Sequence, residues 1–246
     1  MVFAQQGKSR EYLFLRAFVA SIVLSLSGQA MAQSCLIPER LDPLVADRPA
    51  NEIARPGIVA GYTLALSWSP EYCRSNPTEG SEQCGGPNKF GFILHGLWPE
   101  GPSGGAPPRW CRASTTIDRD VFRAQFCTMP SSRLMAHQWA KHGSCATRDP
   151  GDYFAASRKL FASVRTPDMN ALSRRPLDVG GFKRILSAFN PSIQPSHMVV
   201  VTDRRGDWFE ELRLCLSRAM RPQPCARDRP RGAPDGAKLK IWRGER

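Results

Sequence analysis

The sequence predicts an α+β fold, a single domain stapled by disulfides. Two observations carry this. Segments that read as strands and segments that read as helices follow one another without regular alternation, which disfavours a doubly wound parallel sheet. All eight cysteines (35, 73, 84, 111, 127, 145, 215 and 225) lie after residue 32, an even number behind what reads as an export signal. The length suits one domain with ample core.

The elements are justified in order. Residues 1–32 read as a signal peptide and stay outside the domain. Lys8, Arg10 and Arg16 form a positive first part, Ala17 to Leu26 an apolar stretch too short to span a bilayer, and Ala30-Met31-Ala32 a small-residue cleavage site. No later segment is apolar enough for a membrane span. Residues 33–58, with prolines, arginines and weak periodicity, form an N-terminal extension that packs on the domain or links to it. Residues 59–246 form the domain, ending in a basic C-terminal tail from Arg218. Gly61–Trp68 is a strand, stopped by Ser69-Pro70. Phe90–Leu94 is a buried strand that Gly96 and Pro99 close, leaving His95 at its edge. Ile117–Cys127, Tyr153–Val164 and Gly181–Phe189 read as helices. His197–Val201, Trp208–Leu216 and Lys238–Trp242 read as strands, the last at an edge.

The net charge is +12. Removing residues 1–32, with Lys8, Arg10, Arg16 and Glu11, leaves +10. A basic exported protein favours a polyanion as partner. No C-x-x-C pair supports a zinc site. His137 and His142 are five apart with Gln138 second, which does not fit the H-E-x-x-H zinc motif. No metal and no cofactor is expected, and His197 receives no role.

The stretch 137–145, HQWAKHGSC, carries the chemistry. Pro130-Ser131-Ser132 starts a helix and Gly143 stops it. At about 100° per residue, His137, Lys141, Gln138 and His142 fall near roughly 0°, 40°, 100° and 140°, on one face. Trp139 and Ala140 point away, into a core. Two imidazoles, an ammonium and an amide on one face suit a phosphate and proton transfer around it.

Together, His95-Gly96-Leu97-Trp98-Pro99 and His137-x-Trp-x-Lys-His142-Gly-x-Cys resemble the two active-site segments of the ribonuclease T2 family, from about Tyr62 to about Cys225. The resemblance implies a central, mostly antiparallel sheet with flanking helices. It implies an exported, metal-independent endoribonuclease, periplasmic or extracellular, acting as a monomer on single-stranded RNA. His142 matches the general base, His95 the general acid, His137 the phosphate-binding histidine and Lys141 the lysine that stabilises developing charge. The products are a 2′,3′-cyclic phosphate and then a 3′-phosphate. Trp98 matches the base-stacking aromatic, Glu100 stands where an acidic side chain bonds a base edge, and Trp110 is a candidate second wall. Met129-Pro130-Ser131 is a candidate lining for the next base. The resemblance also pairs Cys111 with Cys145. Cys73–Cys84 and Cys215–Cys225 close short loops, which leaves Cys35–Cys127. The chain departs from the family at Gln138, where Glu is usual. That departure leaves an alternative: a weakened relative that binds RNA or acts as a cationic exported effector.

Overall fold

The computed structural model describes residues 35–76, 82–85, 87–113, 115–204, 206–226 and 232–244. The expected signal peptide lies outside the described residues.

An antiparallel sheet of four strands, in the order β3-β2-β6-β5, organises the molecule. Here β2 is Gly61–Trp68, β3 Phe92–Glu100, β5 Met198–Thr202 and β6 Phe209–Ser217. A short pair joins β1 (Leu44–Ala46) to β4 (Thr115–Ile117). Helix α1 (Ser69–Ser75) follows β2, and α2 (Arg119–Gln125), α3 (Ser132–Gln138), α4 (Ser144–Ala146), α5 (Pro150–Ser163), α6 (Met169–Leu172) and α7 (Val179–Phe189) follow in turn. The fold is therefore α+β, with an antiparallel sheet.

Strand β2 is buried along nearly its whole length because it is covered on both edges and packed by side chains such as Leu64, Ala65 and Leu66. The core continues through Phe92, Leu94, Trp139, Tyr153, Phe154, Phe182 and Phe209. Four disulfides staple this frame: Cys35–Cys127, Cys73–Cys84, Cys111–Cys145 and Cys215–Cys225. The N-terminal extension packs on the domain rather than acting as a linker. Cys35 is tied to Cys127, β1 pairs with β4, and Arg55 bridges to Arg109.

Several local expectations shift. Strand β3 does not close at Gly96 but runs on to Glu100, with Pro99 paired to Tyr62. A proline is tolerated there because β3 is an edge strand. The expected helix from Ile117 begins only at Arg119, after Asp118, since Thr115–Ile117 is taken by the pairing with β1. Lys238–Trp242 makes single bridges, Asp178 to Lys238 and Trp208 to Lys240, and no strand. The helix at 132 starts on Ser131, whose side chain accepts from the Leu134 N–H at 3.2 Å, as an N-cap does. It does not stop at Gly143. Its turn widens to a π-helix over Trp139–Gly143 and continues as α4 to Ala146.

Candidate functional site

Two local irregularities build the site. The first is in β3. Ala65 pairs with Gly96 and Leu66 with Leu94, so His95 is the extra residue of a β-bulge. Bulges re-aim side chains and free a residue from the ladder. His95 is thereby turned out of an otherwise buried strand, with its side chain 37% exposed. The second is the π-helical turn. Wide turns of this kind interrupt the α ladder and change which residues share a face. Trp139 and Ala140 are buried, as the α periodicity requires. Gln138 is also buried, only 1% exposed, whereas His137 is exposed and Lys141 and His142 are partly so.

Trp98 links the two irregularities. Its ring stacks on His142 with centroids 5.6 Å apart, and His95 meets it edge-on at 5.1 Å. Its Nε1–H donates to Gln138 Oε1 at 2.9 Å. The indole and the amide cross directly over Gly96. A Cβ on Gly96 would overlap Gln138 Oε1 and Trp98 Nε1 and lie 2.8 Å from Gln138 Cδ. The position therefore admits only glycine without a shift. Gln138 holds Trp98, which in turn sits between the two imidazoles.

The histidines differ in surroundings. Burial holds His142 well below the ordinary histidine value, and Lys141, His137, His95 and Arg109 push the same way. Its Nδ1 is buried and finds no hydrogen-bond partner among the described residues. His142 is thus kept neutral, and it lines the cleft beside Trp98. Burial of part of its ring also lowers His137, helped by Lys141 and His95. His95 has a different neighbour: its Nδ1 makes a short hydrogen bond with Glu211 Oε2 on β6. Burial pushes the Glu211 carboxyl up, but the bond to His95 and the charges of His95 and Arg213 outweigh it, so the net shift is downward. Sequence reading missed Glu211. The signal was a pair of adjacent carboxylates, Glu210 and Glu211, in the strand-like stretch Phe209–Leu216.

Two cavities flank these groups. One, of about 540 Å³, is lined by Trp98, Glu100, His142 and Arg213 among others. Glu100 Oε1 there accepts from Thr63 Oγ1 at 2.7 Å. The other, of about 400 Å³, is lined by His95, His137, Arg133, Ser131, Gln83 and Tyr72 among others. Of the stretch 129–131, only Ser131 reaches it, because Met129 and Pro130 are buried.

Trp110 is not a wall of either cavity. It is 1% exposed and adopts a left-handed φ of 55°. Its ring meets His137 edge-on at 5.4 Å, and Lys141 Nζ lies 5.9 Å from the ring centre. The Trp110 N–H donates to the Lys141 carbonyl at 2.9 Å, and its Nε1–H donates to Glu52 of the extension at 3.1 Å. It is a buttress behind His137 and Lys141, held next to the Cys111–Cys145 bridge. No group of three or more metal-ligating side chains occurs among the described residues.

The comparisons agree with this frame. Residues 60–177 match the ribonuclease T2 family. A probable ribonuclease of Haemophilus influenzae is 35% identical over 128 residues, covering 47% of this chain and 47% of that protein. A ribonuclease of Aeromonas hydrophila is 32% identical over 166 residues, 64% of this chain and 71% of that protein. The chain thus spans about half of the first relative and about seven-tenths of the second. Among solved structures, the S-like ribonuclease trichomaglin superposes with a TM-score of 0.57 at 22% identity, covering 74% of this chain and 97% of that one. RNase NT, solved with 5′-AMP, gives 0.57 at 18% identity, covering 75% and 98%. At these identities the two structures speak for the fold.

Proposed function

This chain belongs to the ribonuclease T2 family, and from that premise we propose that it is an exported, monomeric endoribonuclease that cuts single-stranded RNA by transphosphorylation. The observation that supports this most is Trp98 between two histidines of opposite setting. His142, kept neutral by burial and by cations, suits a general base. It takes the 2′-hydroxyl proton as the 2′-oxygen bonds to phosphorus. His95, facing the cleft with Nδ1 engaged, gives a proton from Nε2 to the leaving 5′-oxygen as the P–O5′ bond breaks. His137 and Lys141 face the phosphate, and the Lys141 ammonium stabilises the charge that develops on it. The product is a 2′,3′-cyclic phosphate, hydrolysed later to a 3′-phosphate. DNA lacks the attacking hydroxyl.

Trp98 and Glu100 serve the base in the larger cavity, the tryptophan by stacking and Glu100 by its carboxylate. Gln138 acts by holding Trp98 rather than by touching the phosphate. Four disulfides suit an oxidising compartment outside the cytoplasm. The test is a digest of a defined oligoribonucleotide with EDTA present, read by mass. Cyclic phosphate ends are expected, and His95→Ala and His142→Ala should each lose at least about a hundredfold. Strict dependence on added metal, or near-normal activity of either variant, would overturn the proposal.

A further inference from the structure

Glu211 is a buried carboxylate, 6% exposed, on a strand whose Phe209, Leu212 and Leu214 are buried too. Such a group is expensive to bury unless its oxygens are occupied. Both are: Oε2 meets His95 Nδ1, and Oε1 accepts from Arg213 Nε at 2.6 Å. The partner of Oε2 lies on β3, two strands away, with β2 between them. The register explains how the side chain reaches. Glu211 stands opposite Ser67 and Arg213 opposite Ala65, so these four share one face of the sheet. The two β2 residues are small, which leaves room for Glu211 and Arg213 to lie across β2 towards β3. Arg213 then reaches Trp98, with its guanidinium carbon 5.1 Å from the ring centre. One continuous chain of contacts, Arg213–Glu211–His95, therefore crosses the sheet and ends at the cleft.

We infer that Glu211 is a positioning residue for the proposed general acid. The inference rests on the reaction proposed above. As the extra residue of a bulge, His95 is loosely held by its own backbone. The Glu211 carboxylate accepts the Nδ1–H and fixes both ring tilt and tautomer, as a carboxylate does behind a catalytic imidazole. Nε2 is then the nitrogen that loses its proton to the 5′-oxygen as the P–O5′ bond breaks. The Nδ1 proton stays on the ring throughout. Arg213 keeps the carboxylate ionised and aimed.

The test separates this role from a merely structural one by leaving group. A ribodinucleoside monophosphate expels a 5′-alkoxide, which needs a proton. A nucleoside 3′-(4-nitrophenyl phosphate) expels nitrophenolate, which does not. For each protein the rates on both substrates are taken from one preparation, and their ratio, dinucleotide over aryl ester, cancels any loss of folded protein. His95→Ala should lower that ratio by about a hundredfold or more, as acid–base groups do, and Glu211→Gln by about tenfold to a hundredfold, the loss typical when the carboxylate behind a working histidine is removed. Glu211→Asp keeps the charge but falls short of His95, and should lower the ratio in the same sense. If His95→Ala lowers the ratio but neither Glu211 variant does, the inference is wrong and the proposed reaction stands. If His95→Ala itself leaves the ratio unchanged, the acid assignment fails, and the role given to Glu211 fails with it.

Discussion

Gly96→Ala tests the centre of the site with a single methyl group. The methyl would overlap Gln138 Oε1 and Trp98 Nε1, the two atoms of a hydrogen bond whose glutamine end is buried. Gln138 is anchored in the helix core and Trp98 in the edge strand, so one must move and the bond must break. Overpacking costs about 1–3 kcal/mol, and stranding a buried donor or acceptor a further ~1–3 kcal/mol. A total of roughly 2–6 kcal/mol lowers the Tm of a chain this size by about 5–20 °C. The effect on rate follows from the same displacement. Trp98 touches both His95 and His142, and a shift of ~1 Å in reacting groups can cost about a hundredfold. Thermal unfolding and RNA cleavage are measured on wild type, Gly96→Ala, Gln138→Ala and the double variant. Removing the Gln138 side chain takes away one overlap and frees Trp98 to shift from the other, so the double variant should be less damaged than the sum of the singles, with a coupling of about 0.5–3 kcal/mol. Wild-type Tm and rate in Gly96→Ala, or strict additivity, would show that the two side chains do not cross over Gly96.

Two further predictions follow from the electrostatics and the staples. Because burial and neighbouring cations hold His142 well below 6.5, the base stays neutral into acid, and the acid limb of kcat/KM should lie below that value. Gln138→Glu places a carboxylate one indole away, which raises the His142 pKa and moves the acid limb to higher pH; an unmoved profile would contradict the Gln138–Trp98–His142 stack. Replacing Cys111 and Cys145 together opens a loop of 34 residues. That should cost about 3–4 kcal/mol in denaturant unfolding, and a loss below about 1 kcal/mol would mean the bridge carries little.

The sequence made the frame legible where a pattern repeats or a motif is dense. The strands at Gly61–Trp68 and Phe209–Ser217 declare themselves by apolar character, and the two histidine segments by their unusual residues. What stayed hidden depends on pairing between distant strands. That His95 is a bulge follows only from the register of β3 on β2. That Glu211 faces His95 follows from the order β3-β2-β6 and from the small residues between them. Helical-wheel reasoning grouped Gln138 with the exposed polar groups, but its 1% exposure and the engagement of its amide by Trp98 follow only from the packing of β3 on the helix. Trp110, a candidate second wall of the pocket, is packed in the core. Its left-handed backbone and the hydrogen bond to Lys141 turn it inward instead.

In the proposed reaction the two histidines do two different jobs, and what the fold places behind each ring differs accordingly. Behind His142 there is burial, an unpartnered Nδ1, and the positive charges of Lys141 and Arg109. Every one of these disfavours the charged ring, so in the proposed reaction His142 starts neutral and accepts a proton. Behind His95 there is a carboxylate, which engages Nδ1 and leaves Nε2 as the nitrogen that gives a proton away in that reaction. After the first step the proton states of the two are exchanged: His142 is charged in a place that disfavours charge, and His95 is neutral against Glu211. Hydrolysis of the cyclic phosphate uses that exchanged state. His95 takes a proton from water as it attacks phosphorus, and His142 returns its own to the 2′-oxygen. In the proposed reaction the second step thus returns His142 to the neutral form its surroundings favour, and the pair resets without a proton from bulk solvent.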